Sequence, residues 1–233
     1  MAQEVGRARV GGRLGVVAFT DVPDLVTWSA TAEAPLGTSR WRAAVARGPA
    51  YETLRAGTTL GAALPASGDT ALAGTSAALT VIAPLGRLEL WSRAEYLGLD
   101  DGNRRPSLQV ALRAGIGARV SLVYAGGLLG FSDPAGGYWS PRAYSLQSLG
   151  IEYRRRWPGG AYVTGQALPG LAFYDEAPPG QPASSGTAFQ WQLAGEGGWA
   201  TDRWELGATA AWGRERQGAY EAVTATLRAR YRW

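Results

Sequence analysis

The chain has 233 residues and a net charge of +4; its 23 basic residues are all arginine, and it contains no histidine and no cysteine. Disulfides, thiolate chemistry, Ser-His-Asp and Cys-His nucleophile arrangements and the usual His/Cys zinc sites are therefore excluded. The charge is too small and too dispersed for a nucleic-acid partner, and no apolar run of about 18 residues offers a transmembrane helix.

Ten Trp and ten Tyr stand against four Phe, and this bias suits a surface that is apolar at one end and wet at the other. Mean hydropathy is -0.12. A wall whose lipid-facing and lumen-facing residues alternate averages out to such a value. The opening Met-Ala-Gln-Glu has neither a charged n-region nor an apolar h-region, as expected of a mature protein after signal removal or of an excised domain.

Residues 4–19 form one long bent strand or a short hairpin, broken by Gly11 and Gly12, and 20–24 is a turn. Val26, Trp28, Ala30, Ala32 and Ala34 then alternate with Thr27, Ser29, Thr31 and Glu33. This period of two places each set on its own face of a strand. After a turn at Pro35-Leu-Gly37, Arg40 and Arg42 oppose Trp41, Ala43 and Val45. Weaker strands are expected over 51–60 and 70–82, separated by a Gly/Pro/Ser-containing piece at 61–69. Past Pro84-Leu-Gly86, Leu88, Leu90, Ala94 and Tyr96 oppose Arg87, Glu89, Arg93 and Glu95; Trp91 falls among the charged set.

A polar loop at 100–106 follows. Then Leu108, Val110, Leu112 and Ala114 oppose Gln109 and Arg113, and Val120, Leu122 and Tyr124 oppose Arg119 and Ser121. A longer loop occupies 130–143. Leu149, Ile151 and Tyr153 oppose Glu152 and Arg154; residues 161–171 form a strand whose facing is not legible. The longest loop is expected at 172–185. Phe189, Trp191 and Leu193 then oppose Gln190, Gln192 and Glu196. Trp204, Leu206, Ala208, Ala210 and Trp212 oppose Arg203, Glu205 and Thr209. At roughly 3.3 Å per residue, Trp204 and Trp212 stand about 26 Å apart, the height of a barrel's lipid band.

The last stretch, 220–233, sets Val223, Ala225, Leu227, Ala229, Tyr231 and Trp233 against Thr224, Thr226, Arg228, Arg230 and Arg232. It resembles the final strand of bacterial outer-membrane barrels, whose terminal aromatic belongs to the assembly signal. Short connections (20–24, 47–50, 83–86, 115–117, 157–160) interleave with longer ones (61–69, 98–106, 130–143, 172–186), as periplasmic turns and outer loops do. The expected fold class is therefore all-β, an antiparallel up-and-down transmembrane β-barrel forming one domain over 1–233. Thirteen segments are visible, and an even number requires about twelve strands, with fourteen possible.

No catalytic group is expected. Asp100-Asp101 and Asp175-Glu176 have the types needed for acid/base work but read as solvated loop residues. No phosphate loop, metal site or cofactor is expected. What remains is a polar interior: Arg40, Arg42, Glu89, Arg93, Arg113, Glu152, Arg154, Gln190, Gln192, Arg203, Glu205, Arg228 and Arg230 are the candidate lumen-lining residues. Charges of both signs there act as a neutralising network or as a mildly positive pore wall.

Gly136-Gly-Tyr-Trp-Ser-Pro-Arg-Ala-Tyr144, followed by Ser145-Leu-Gln-Ser-Leu-Gly, resembles a Gly-Tyr-aromatic-Ser-Pro-Gln-x-aromatic motif. That motif belongs to the C-terminal barrel of the cellulose synthase operon protein C family, the outer-membrane exopolysaccharide export porins. The resemblance covers roughly 125–233. Arg142 stands where the family has Gln, the barrel is shorter than the family's, and the 233 residues contain no tetratricopeptide-like repeat. The resemblance implies a passive outer-membrane conduit for a glucan-like exopolysaccharide and no enzyme. It implies a polysaccharide contact at Tyr138, Trp139, Ser140, Pro141, Arg142 and Tyr144. The implied partners are the lipid bilayer, the polysaccharide chain, a periplasmic scaffold with its synthase, and the barrel assembly machinery. Two alternatives stay open: a structural or plugged barrel without transport, and a soluble β-barrel that binds a ligand in its core.

Overall fold

A computed structural model describes residues 2–5, 8–17, 24–49, 72–135, 140–215 and 220–231. They form one antiparallel sheet of thirteen strands in sequence order. In chain order these are β1 (Ala2–Val5), β2 (Ala8–Val17), β3 (Leu25–Leu36), β4 (Ser39–Pro49), β5 (Ala73–Leu85), β6 (Leu88–Leu99) and β7 (Arg104–Gly115). Then come β8 (Val120–Leu129), β9 (Ala143–Arg156), β10 (Ala161–Glu176), β11 (Ser184–Ala200), β12 (Trp204–Glu215) and β13 (Tyr220–Tyr231). The fold is an all-β, up-and-down barrel. Among the described residues no ladder joins β13 to β1 or β2.

Twelve of the strands have ten to seventeen residues, the length of a tilted membrane-barrel strand or more. The thirteenth, β1, has four residues and pairs with β2 as a hairpin, so the opening segment is split rather than one bent strand. The expected strand at 51–60 lies outside the described residues.

Pairing fixes the faces, because residues directly opposite across a ladder point the same way. On β12 and β13, Trp204, Leu206, Ala208, Ala210 and Trp212 meet Tyr231, Ala229, Leu227, Ala225 and Val223 on the outer face. The sheet curls so that its other face is concave. Arg113 of β7 reaches Glu152 of β9, and Tyr144 of β9 reaches Gln190 of β11, each across an intervening strand.

Polarity is inverted relative to a water-soluble domain. Large apolar side chains of the outer face are exposed, Leu227 to 87%. Buried positions of the inner face include Arg105, Ser148, Glu152 and Gln190. Aromatic rings gather at the lower margin of the outer face: Trp204 and Tyr231 have centroids 4.8 Å apart, and Trp199 Nε1–H donates to Gly159 O at 2.7 Å. Nearby, the Arg155 guanidinium lies 4.6 Å over Trp157. At the opposite margin Trp191 and Trp212 meet edge to face at 4.3 Å.

Connections sort by end. Among the described residues, 37–38, 86–87, 116–119, 157–160 and 201–203 lie at one end, and 100–103, 130–135, 140–142 and 177–183 at the other. Leu36 pairs with Ser39 and Leu85 with Leu88, so the first two are two-residue hairpins, with Gly37 (φ 61) and Gly86 (φ 65) supplying the left-handed residue they need. The turn expected at 20–24 lies outside the described residues except for Asp24. Two expected connections are corrected. Residues 47–50 are not a short turn, because β4 runs on through Pro49. The loop expected at 172–186 shrinks to 177–183, because β10 and β11 pair from Ala161↔Trp199 as far as Glu176↔Ser184.

The facing of β10, illegible in sequence, follows from its neighbours. Tyr162, Thr164, Gln166, Leu168, Gly170, Ala172 and Tyr174 pair with the inner residues of β9 and β11. Pro169, which has no N–H to give, sits where the β9 ladder is interrupted between Ala167↔Ile151 and Gly170↔Ser148.

Candidate functional site: the polar interior and its capped end

The inner face carries its charges in linked pairs. On β6, Arg93 Nη2 lies 2.5 Å from Glu95 Oε2; on β7, Arg105 Nη2 lies 2.7 Å from Glu95 Oε1. One carboxylate thus bridges two guanidinium groups. Lower down, Arg113 bonds to Glu89 and also to Glu152 at 2.8 Å, and Arg154 Nε meets the other Glu152 oxygen at 2.6 Å. Glu152 is 3% exposed, and its burial is compensated by these two partners. A third group joins β10 to β13. Arg228 lies 2.7 Å from Glu205 and 3.4 Å from Glu196, and Tyr162 O–H donates to Glu196 at 3.0 Å.

The other sequence-derived interior residues take these places. Arg42 stands opposite Glu33, and Arg40 Nε is 3.7 Å from the Glu33 carboxylate. Arg230 stands opposite Glu205 on the inner face. Gln192 pairs with Leu168, and Gln190 with Gly170. Gln190 Oε1 accepts from Tyr144 O–H at 3.1 Å. Arg203 is a correction: it lies in the 201–203 turn ahead of β12, not on a strand wall.

The long-loop end is capped from within. Leu72, Leu97, Leu99 and Phe131 form a buried cluster, with Leu129 and Ala135 packed against it. Asn103 pins this cap. Its side-chain N–H donates to Asp133 O at 2.7 Å, and its Oδ1 accepts from Ser132 Oγ–H at 2.9 Å and Asp133 N–H at 3.1 Å. Phe131 N–H donates to Pro141 O at 2.9 Å.

Of the motif 138–144, Tyr138 and Trp139 lie outside the described residues. Ser140 and Pro141 are buried, and Ser140 Oγ accepts from Ala135 N–H at 2.6 Å. The pair shapes the turn of the cap. Arg142 is exposed at the rim, its N–H donating to Asp175 O at 2.9 Å. With Leu108, Leu128 and Phe173 it borders an apolar groove. Tyr144 points into the interior, opposite Leu129 and Tyr174.

The carboxylates 100–101 have structural partners. Asp100 takes both Nη groups of Arg47, at 2.9 and 2.6 Å, and Asp101 accepts Asn103 N–H at 3.0 Å.

An inner cavity of about 480 Å³ spans from β6 to β11, bounded by Trp91, Arg93, Glu95, Gln109, Tyr144 and Gln192. Sequence reasoning missed Arg105 and Asn103 because both fall in a polar stretch that reads as loop. Counting alternation back from Gln109 would have found Arg105. Among the described residues no group of His, Cys, Asp and Glu is placed to hold a metal ion.

No family model matches the chain, and no curated protein matches it. Among solved structures, the chain is similar to one described as a bacterial polysaccharide outer membrane secretin. The TM-score is 0.72 at 11% sequence identity, over 99% of this chain and 78% of that one. At this identity the likeness is one of fold: the chain has the barrel architecture of that outer-membrane protein.

Proposed function

We propose that the chain is a bacterial outer-membrane channel that passes an exopolysaccharide, glucan-like in class, without catalysis. The observation that carries the membrane part is the inverted polarity of the wall: exposed Leu193, Leu206 and Leu227 outside, buried Arg105, Glu152 and Gln190 inside. Such a surface is stable in hydrocarbon and costly in water. The polysaccharide part is supported by the fold shared with the secretin and by the resemblance of 136–144 to the export porins. Of that motif, we assign Tyr144 to contact with the polymer and Ser140-Pro141 to holding the cap. In this proposal the barrel is inserted by the assembly machinery and fed by a periplasmic scaffold and synthase.

Single-channel recording of refolded protein in a planar bilayer tests this, with and without neutral gluco-oligosaccharides. Steady conductance with sugar-dependent block is expected. Folded, inserted protein that never conducts would overturn the conduit and favour a second function, a closed structural barrel. The buried Phe131 cluster at the long-loop end supports that alternative.

A further inference from the structure

Trp91 breaks the pattern of the wall. The tryptophans at 28, 41, 191, 199, 204 and 212 pair on the outer face, whereas Trp91 pairs with Ile82 and Ala111 on the inner one. An indole is expensive to leave in a wetted lumen unless something covers it. Trp91 is half-buried, with Ile82 against one side and only small residues on the other. Following the ladders from strand to strand, Trp91 opposes Ala111, Ala111 opposes Ala125, Ala125 opposes Ser148, Ser148 opposes Gly170, and Gly170 opposes Gln190. Four small residues in one row separate an indole from an amide. At about 4.8 Å between strands, the row is a shelf of roughly 24 Å along the inner wall. The cavity of about 480 Å³ opens over the Trp91 end of this shelf, with Gln109 and Arg93 one row above.

We infer that this shelf is a ring-stacking subsite for a neutral pyranose of the transported polymer, with the Trp91 indole as its platform; the inference deepens the conduit function proposed above and rests on it. A pyranose has an apolar C–H face and an equatorial belt of hydroxyls. The flat indole takes the face. Gln109 and Gln192, each a donor and an acceptor without charge, take hydroxyls at the belt. Arg93 is held by Glu95, which also holds Arg105, so the nearest cations are already engaged by a carboxylate. A neutral sugar needs no counter-ion there. Interrupted contact of this kind also suits a conduit, which must bind strongly enough to admit a chain and weakly enough to let it move.

The test compares wild type, Trp91→Phe, Trp91→Leu and Ala111→Leu in planar bilayers, with a neutral β-linked gluco-oligosaccharide and an oligouronate as blockers. Calorimetric titration of the detergent-folded proteins with the same two sugars runs beside it. Trp91→Phe keeps an aromatic face and retains block by the neutral sugar. Trp91→Leu, apolar but without the face, weakens it about tenfold, one decade of affinity. Ala111→Leu fills the shelf without altering the indole and gives the same loss. Equal block and equal binding in wild type and both Leu variants would overturn the subsite while leaving the conduit standing. Block by the oligouronate alone would overturn the neutral class. If the wild type does not conduct, the conduit function falls, and the titration decides the subsite separately: binding lost in Trp91→Leu supports it, and absence of binding in wild type overturns it.

Discussion

Arg105 and Glu95 meet at 2.7 Å with side chains only 6% and 9% exposed, on adjacent strands of the inner face. Breaking such a pair leaves one buried charge uncompensated, which costs about 3–5 kcal/mol. Glu95→Ala should therefore lower unfolding stability by that order. Glu95→Leu combined with Arg105→Met should recover much of the loss, because the buried Arg105 charge goes with its partner, while Arg93, the carboxylate's other partner, is about a third exposed and stays hydrated. Urea unfolding in lipid vesicles reads both. A double variant as weak as Glu95→Ala would show that the apolar pair does not fit the wall.

Thr226 and Leu227 are neighbours in the chain and stand on opposite faces of β13. Leu227 is opposite Ala208, halfway between Trp204 and Trp212. Leu227→Arg places a charge near the middle of the apolar belt and should cost about 2–4 kcal/mol of insertion stability. Thr226→Arg faces the interior and should cost well under half of that. Refolding equilibria in vesicles compare the two. Equal costs would mean that the outer face is not in hydrocarbon.

Where one face was apolar and the other polar, alternation was legible without a structure: β3, β6, β12 and β13 present the faces their spacing predicts. β10 was not, because small residues such as Gly165, Ala167, Gly170 and Ala172 occur on both its faces and carry no polarity contrast. The ends of β10 and β11 were misplaced for another reason. Residues 174–176 and 184–186 are polar or small enough to read as loop, yet they continue the ladder past the apolar belt. Trp91 looked like an exception to its strand's pattern, and only the row of small residues across neighbouring strands gives it a meaning. Such a row depends on register between strands, which no single segment encodes.

The cap at the long-loop end should control passage. Phe131→Ala removes the aromatic member of the cluster with Leu97 and Leu99, and Asn103→Ala removes its hydrogen-bonded anchor. Both should raise single-channel conductance. Both should also speed proteolysis within 130–142 on intact vesicles. Unchanged conductance in each would place the narrowest point elsewhere in the barrel.

Gly150 is pressed against the neighbouring backbone: a Cβ there would stand 1.9 Å from Ala167 O. At Gly165 on the adjacent strand, the nearest atom would be 3.9 Å away. Gly150→Ala should force β9 and β10 apart beside Pro169 and destabilise the protein by several times the effect of Gly165→Ala. Midpoints of denaturant unfolding for the two variants settle the comparison.

The sorting of connections by end gives the molecule unequal freedom to change. Turns such as 37–38 and 86–87 close in two residues with a glycine in the left-handed region, so an added residue there would shift the pairing of two strands and turn each side chain to the wrong face. The 177–183 connection at the other end follows strands that have already extended past the apolar belt. Insertions are absorbed there without disturbing the wall. Sequence drift, surface recognition and engineered tags are thus channelled to one side of the barrel, while the opposite side stays fixed by its own geometry.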